Sequence, residues 1–221
     1  MKITDDAGIR MVRSREIALG DLVADSYRAA TGADLAYING GGIRADLTAG
    51  DISYSDIINV TPYGNMICTT EVTGQEIADM LEGFYQYVRA DYVENGVATG
   101  EDGSFGHFSG LKCVVHTDIP SSAERDENGL LVRVGKTRRV SDIQIMKDGK
   151  YVPLDPKQTY VLACTDYMLK NGGNGMALMM EKHTPLLDDI GADYQILVDY
   201  IVSLNNDFSR YRTSGERIVI R

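Results

Sequence analysis

The stretch Leu35-Ala36-Tyr37-Ile38-Asn39-Gly40-Gly41-Gly42-Ile43-Arg44 decides how this chain is read. Leu35 to Ile38 is an apolar run of strand length, and it ends in an amide, three residues without side chains, an aliphatic anchor and a guanidinium. Glycines at the end of a strand allow backbone conformations barred to other residues and leave room for close approach, while Arg44 offers a planar fork suited to phosphate or carboxylate. Taken alone, such a run more often makes a tight connection than a binding site. No Lys-Ser or Lys-Thr follows to complete a phosphate loop, and the absence of Gly-x-Gly-x-x-Gly excludes a dinucleotide fingerprint.

Helical and strand-like segments extend on both sides. Upstream, Glu16 to Ala30 carries Ile17, Leu19, Leu22, Val23, Ala24 and Tyr27 near helical spacing, with Gly32 as a stop. Downstream, Ser53 and Asp56 make a capping-box start for a short helix that runs into Thr61-Pro62-Tyr63-Gly64-Asn65. Met66 to Val72 reads as a strand, and Thr73-Gly74-Gln75-Glu76 opens a helix through Ile77, Met80, Leu81, Phe84 and Val88. Glycine and acidic residues mark Glu94 to His107 as an exposed loop, and Asp118 to Asn128 reads the same way. Between and beyond them lie expected strands at Leu111 to His116, Val140 to Met146, Tyr151-Val152 and Thr159 to Cys164. Lys147-Asp148-Gly149-Lys150 is a hairpin signal, Ala192 to Leu204 a last amphipathic helix and Arg217 to Ile220 a last strand.

The chain has 221 residues, of which 43% are hydrophobic and 24% charged, so it can bury a sizeable core. Its formal net charge of -10 argues against a nucleic-acid polymer or an anionic membrane as partner, because both need a basic surface. An anionic ligand would depend on local arginines. No apolar stretch approaches a membrane span, and the N-terminal residues lack the pattern of a signal peptide. Cys68, Cys113 and Cys164 each fall in an expected strand, which fits buried core residues better than a disulfide framework or metal site. His107, His116 and His183 have no chelating spacing, no Gly-x-Ser-x-Gly elbow occurs, and a catalytic metal cluster is not expected from this chain.

The residues offer recognition more readily than reaction. Two aromatic-plus-loop clusters stand out, one at Pro62-Tyr63-Gly64-Asn65 and one from Tyr167 to Gly175. Two facing rings can clamp a planar ligand, although a single tyrosine is more often a half-buried core residue.

In its ordered motifs the chain resembles the C-terminal domain of the 5'-nucleotidase family, which includes UDP-sugar hydrolases and 2',3'-cyclic-nucleotide phosphodiesterases. The resemblance rests on Val12 to Glu16, Leu19 to Leu22, Asn39 to Arg44, Gly50 to Ile52, Thr61 to Asn65 and Val72 to Gly74 with Leu81-Glu82. It continues through Phe108 to Leu111, Tyr160 to Asp166, the second glycine cluster and Gly215 to Ile218. It implies one mixed α/β (α+β) substrate-binding domain over 1–221, a mixed sheet packed with helices. By the same resemblance Tyr63 and Tyr167 sandwich the base, Asn39 hydrogen-bonds it, and Arg44 and Arg13 contact phosphate or ribose, with Arg15 the alternative to Arg13. Gly41 belongs to the same substrate-binding set. Asn174 stands where the family usually has aspartate for the ribose hydroxyls, and four residues rather than three separate Tyr167 from Gly172. The resemblance further implies a nucleotide or nucleoside ligand, an N-terminal metallophosphatase domain holding two divalent metal ions, and an extracellular, cell-surface or periplasmic parent. The metallophosphatase motifs do not occur here, so this chain is expected to bind and not to hydrolyse. The rival expectations are a non-catalytic interaction or structural module that keeps the fold without the pocket, and a complete hydrolase with an unrecognised site.

Overall fold

In the computed structural model, which describes every residue except 92, 95–96 and 173–182, the first half grows from a helix and the strand it covers. Helix α1 (Ala18–Thr31) buries Leu19, Leu22, Val23 and Tyr27 along one stripe and stops at Gly32, whose left-handed φ of 67° closes the last turn onto the Arg28 carbonyl. Strand β1 (Leu35–Asn39) is buried at all five residues, as its unbroken apolar run requires. It is followed by α2 (Tyr54–Val60), β2 (Ile67–Thr73) and α3 (Gly74–Phe84). Both expected capping boxes form, Ser53 with Asp56 and Thr73 with Glu76.

The remaining elements are mostly strands. They run β3 (Val93–Glu94), β4 (Val97–Ala98), β5 (Gly106–Ser109), β6 (Leu111–Val115), β7 (Ala123–Arg125), β8 (Leu131–Val134), β9 (Val140–Lys147), β10 (Lys150–Pro153) and β11 (Thr159–Thr165). Helices α4 (Asp166–Asn171) and α5 (Asp193–Ser203) and strand β12 (Ile218–Ile220) complete the order. They form two mixed four-stranded sheets, β2-β11-β1-β5 and β10-β9-β6-β12, in keeping with the mixed α/β class expected. Gly110 alone separates β5 from β6, and its φ of 77° turns the chain from one sheet into the other. Asp148 and Gly149, at φ 50° and 77°, make the expected β9–β10 turn.

Helices cover both faces of the first sheet. On one face Gly20 of α1 lies so close to His107 of β5 that an added Cβ would sit 2.2 Å from the ring. On the other, Tyr37 stacks on Phe84 of α3 at 4.3 Å and on Phe108 at 5.3 Å. One continuous apolar cluster runs through both sheets, each fully buried large side chain contributing roughly 1.5–3 kcal/mol. The three cysteines are free and buried within it.

Two expectations fail in this region. Glu94 to His107 is not a loop exposed throughout: it holds the small β3–β4 ribbon, and Ser104 to His107 are buried, the last two inside β5. A four-residue strand buried on both faces shows no alternation, and its glycine and histidine hide it. Likewise Asp118 to Asn128 contains β7, which pairs antiparallel with β8. Helix α3 ends at Phe84 rather than Val88, yet Tyr85 stays buried and its hydroxyl donates to the Gly106 carbonyl at 2.9 Å.

Candidate functional site

Strand pairing brings the two tyrosine segments together. Because β2 and β11 are antiparallel with Ile67 opposite Thr165, the chain entering β2 lies beside the chain leaving β11. Tyr63 precedes the first by four residues and Tyr167 follows the second by two. Reciprocal bonds fasten this junction: Asp166 N–H donates to the Met66 carbonyl at 2.8 Å, and Met66 N–H donates to Asp166 Oδ1 at 3.1 Å. β1 runs parallel to β11, so its final residue, Asn39, reaches the same edge. The carboxyl ends of parallel strands are where α/β sheets place ligands.

The result is a cleft of about 490 Å³ lined by Arg13, Asn39, Gly41, Gly42, Arg44, Tyr63, Asn65, Gly103 and Tyr167. Six of the seven residues singled out in the sequence therefore lie together. The seventh, Asn174, falls outside the described residues, as does most of the second glycine cluster. Arg13, rather than Arg15, lines the cleft. The tyrosines remain open to solvent, Tyr63 at 60% and Tyr167 at 46%.

Of the two jobs expected of the glycines, the structure keeps one. Gly40 to Gly42 form a single 3-10 turn without left-handed φ angles, so conformational freedom is not what selects them. Close approach is. A Cβ on Gly40 would lie 2.1 Å from the Val12 carbonyl oxygen, and one on Gly41 2.9 Å from Asn39 Nδ2. The space they leave admits two loops to the floor of the cleft. Asn39 Nδ2 and Gly41 N–H both donate to the Gly103 carbonyl, at 2.9 and 3.0 Å, and Gly40 N–H donates to Phe105 at 2.7 Å.

Arg13 is held from behind by a residue with no place in the expected site. His107 Nε2 bonds the Val12 carbonyl at 2.9 Å, and Arg13's own carbonyl accepts from Asp102 N–H. Burial pushes the His107 ring down to about 4, so it stays neutral. Burial also lowers the Arg13 guanidinium, and the positive charges of Arg10 and Arg44 lower it further. Arg10 is paired with Glu101, whereas neither Arg13 nor Arg44 takes part in an ion pair among the described residues. Two neighbouring cations of this kind are an electrostatic cost that an anion relieves.

Gly42, Asn65 and Gly103 complete the lining. Asn65 and Asp193 tie the Tyr63 turn to α5, through Asp193 N–H to the Asn65 carbonyl at 2.9 Å and Asn65 Nδ2 to Asp193 Oδ2 at 3.4 Å. Burial raises the Asp193 carboxyl to about 6. Only Gly103 lacked any sequence signal, because it sits in the acidic, glycine-rich stretch read as a loop. Among the described residues, no group of three or more His, Cys, Asp or Glu side chains is placed to hold a metal ion, and no helix is long and apolar enough to cross a membrane.

Known proteins are similar to this chain in sequence and in fold. A 5'-nucleotidase from Vibrio parahaemolyticus is 28% identical over 209 residues, covering 93% of this chain and 30% of its own length. The trifunctional nucleotide phosphoesterase protein YfkN of Bacillus subtilis is 30% identical over 204 residues, 90% of this chain and 12% of that protein. Among solved structures, a 5'-nucleotidase precursor from Thermus thermophilus superposes with a TM-score of 0.73 at 26% identity, covering 95% of this chain and 36% of that one. The chain thus spans about a third or less of these relatives, which carry large additional regions. The 5'-nucleotidase C-terminal domain model matches residues 2–182, and the chain belongs to that family.

Proposed function

We propose that this chain is a single nucleotide- or nucleoside-recognition domain of a 5'-nucleotidase-type phosphoesterase. The observation that carries the reading is the meeting, in one cleft, of two exposed tyrosines with two arginines that form no ion pair among the described residues. Tyr63 and Tyr167 stack on the base, each contributing about 1–3 kcal/mol. Asn39, its Nδ2 fixed on Gly103, presents the rest of its amide to the base edge. Arg13 and Arg44 face the phosphate or ribose, and their mutual repulsion favours a ligand with negative charge.

Hydrolysis belongs to an N-terminal metallophosphatase domain, where two divalent metal ions activate the attacking water. The additional length of the relatives supports that division, and so does their naming as nucleotidases and phosphoesterases. On this reading the isolated chain binds without turning over, and the parent protein works outside the cytoplasm. Calorimetry with AMP, adenosine and ribose 5-phosphate tests the proposal. AMP and adenosine should bind, AMP the more tightly; silence for all three ligands would overturn it.

A further inference from the structure

A second cavity, of about 460 Å³, lies at the other end of the first sheet. It opens beside the C-terminal turn of α1 and the segment entering β1, whereas the cleft opens where β1 ends. Four residue steps of strand put roughly 13 Å between them. Arg28, Arg210 and Arg217 line this cavity together with Tyr151, Tyr200 and Asp25.

The charges there do not cancel. Asp25 is spoken for, because Arg217 grips it with two bonds of 2.9 and 2.8 Å and the Tyr211 hydroxyl adds a third at 2.8 Å. That leaves Arg28 and Arg210. Arg28 donates its Nε to the Asp34 carbonyl at 3.0 Å, and its terminal nitrogens have no protein partner among the described residues. Arg210 lies near the phenols of Tyr211 and Tyr200 and in the field of the exposed Asp207, but no carboxylate lies within ion-pair distance of it among the described residues. The C-terminal end of α1 contributes a partial negative charge of about half a unit, which one arginine more than offsets. The cavity wall itself therefore carries more positive than negative charge, in a chain whose formal net charge is -10.

Two motifs unused by the nucleotide cleft converge here. Gly110 of Phe108-Ser109-Gly110-Leu111 is the only residue type that fits its place, since a Cβ would lie 2.3 Å from the Asp34 carbonyl oxygen and 2.8 Å from Arg28 Nε. Arg217 of Gly215-Glu216-Arg217-Ile218 closes the wall. The glycine thus lets Arg28 fold back along the rim, where its free nitrogens join the same cavity as Arg210.

We propose that this cavity binds a small phosphoryl dianion, either free phosphate or the phosphate of a compact monoester, held between the Arg28 and Arg210 guanidinium groups. Charge-assisted hydrogen bonds of this kind contribute about 1.5–3 kcal/mol, so losing one should weaken binding about tenfold or more. The test is an amide and guanidinium NMR titration of the ¹⁵N-labelled chain with inorganic phosphate and, separately, glycerol 3-phosphate. Saturable shifts are expected at Arg28, Gly110 and Arg210 with at least one ligand, and the tighter ligand identifies the source of the phosphoryl group. Arg210→Gln, at an exposed position that does not threaten the fold, should weaken these shifts about tenfold, while Arg44→Gln in the distant cleft should leave them intact. Shifts confined to the cleft, insensitive to Arg210→Gln, or failing to saturate with both ligands would overturn the proposal. Because the readout is local, a cleft that failed to bind nucleotides would not affect the outcome.

Discussion

The cleft and the clasp that holds the C-terminal strand use the same residue types in opposite ways. In the clasp, Arg217 bonds Asp25 twice and the Phe108 carbonyl once, lies 3.8 Å from Asp21, and shares Asp25 with the Tyr211 hydroxyl, itself bonded to that of Tyr200. Burial pulls the Arg217 pKa down, but hydrogen bonding to Asp25 and the charges of Asp21 and Asp25 leave it raised. In the cleft, Arg13 and Arg44 repel one another and both tyrosines face solvent. An engaged arginine stabilises the fold, and an unengaged one beside exposed aromatics is available to a ligand.

That contrast breaks most visibly in the clasp. Arg217→Ala strands the Asp25 carboxylate at a largely shielded site, its side chain 12% exposed, and removing one partner of such a pair costs up to about 3–5 kcal/mol. Urea unfolding should show it as a large fall in midpoint with little change in slope. A loss below about 1 kcal/mol would mean the clasp contributes nothing beyond geometry.

A pH experiment sharpens the comparison within the clasp itself. Asp21 Oδ2 accepts from Gly215 N–H at 2.7 Å and Glu16 Oε2 from Ile218 N–H at 2.8 Å, while Asp21 Oδ1 and Glu16 Oε1 are buried without a donor. Burial, with the Glu16 charge added to it, raises the Asp21 carboxyl to about 8 despite Arg217. The folded protein then holds a proton that the unfolded chain releases near its ordinary value. Stability from this group is full in acid and declines from about pH 4 to about pH 8, by at most about 1.4 kcal/mol per unit. Asp21→Asn supplies the missing donor permanently and should flatten that decline. Melting at pH 5 and pH 8 reads the effect: the variant should gain on the parent as pH rises, and a constant difference would refute the protonation of Asp21.

In the cleft the corresponding substitutions should spare the fold and strike the ligand. Tyr63→Ala and Tyr167→Ala each remove an exposed ring, so stability should stay within about 0.5 kcal/mol. Nucleoside affinity should fall about tenfold for each. Calorimetry with adenosine measures this, and unchanged affinity in both variants would remove the stacking clamp.

The two regions also differed in how far their sequences could be read. The cleft was legible because its parts are local signals: a glycine run after an apolar strand, a Pro-Tyr-Gly turn, an aromatic ending a strand. Capping boxes and the Asp-Gly turn were read from side-chain chemistry two or three residues apart, and they formed where expected. What escaped was long-range. Nothing near Gly103 announces that its carbonyl receives Asn39 and Gly41, and His107 looks like a loop histidine until β5 pairs with β1 and presses it against Gly20. The glycine run was read for both freedom of φ and close approach, but the sequence could not say that what approaches is backbone from Val12, 28 residues upstream of Gly40. The clasp joins Asp21 to Gly215 across 194 positions, and no window of sequence contains both.

The smallest effect separates the two arginines of the cleft. Arg44 is exposed and Arg13 is partly buried, so a phosphate beside Arg44 is screened by water and salt while one beside Arg13 is screened less. An exposed charge pair contributes about 0.2–1 kcal/mol, which makes Arg44→Gln a loss of at most about fivefold in AMP affinity. Adenosine, lacking the phosphate, should be indifferent to the change. Arg13→Gln should cost more for AMP and keep that cost at higher salt, where the Arg44 contribution fades. Titrations of both variants with AMP and adenosine at two ionic strengths decide it. Equal losses for AMP and adenosine would turn the arginines toward ribose instead of phosphate, and no loss in either variant would leave Arg13 and Arg44 without a ligand to explain them.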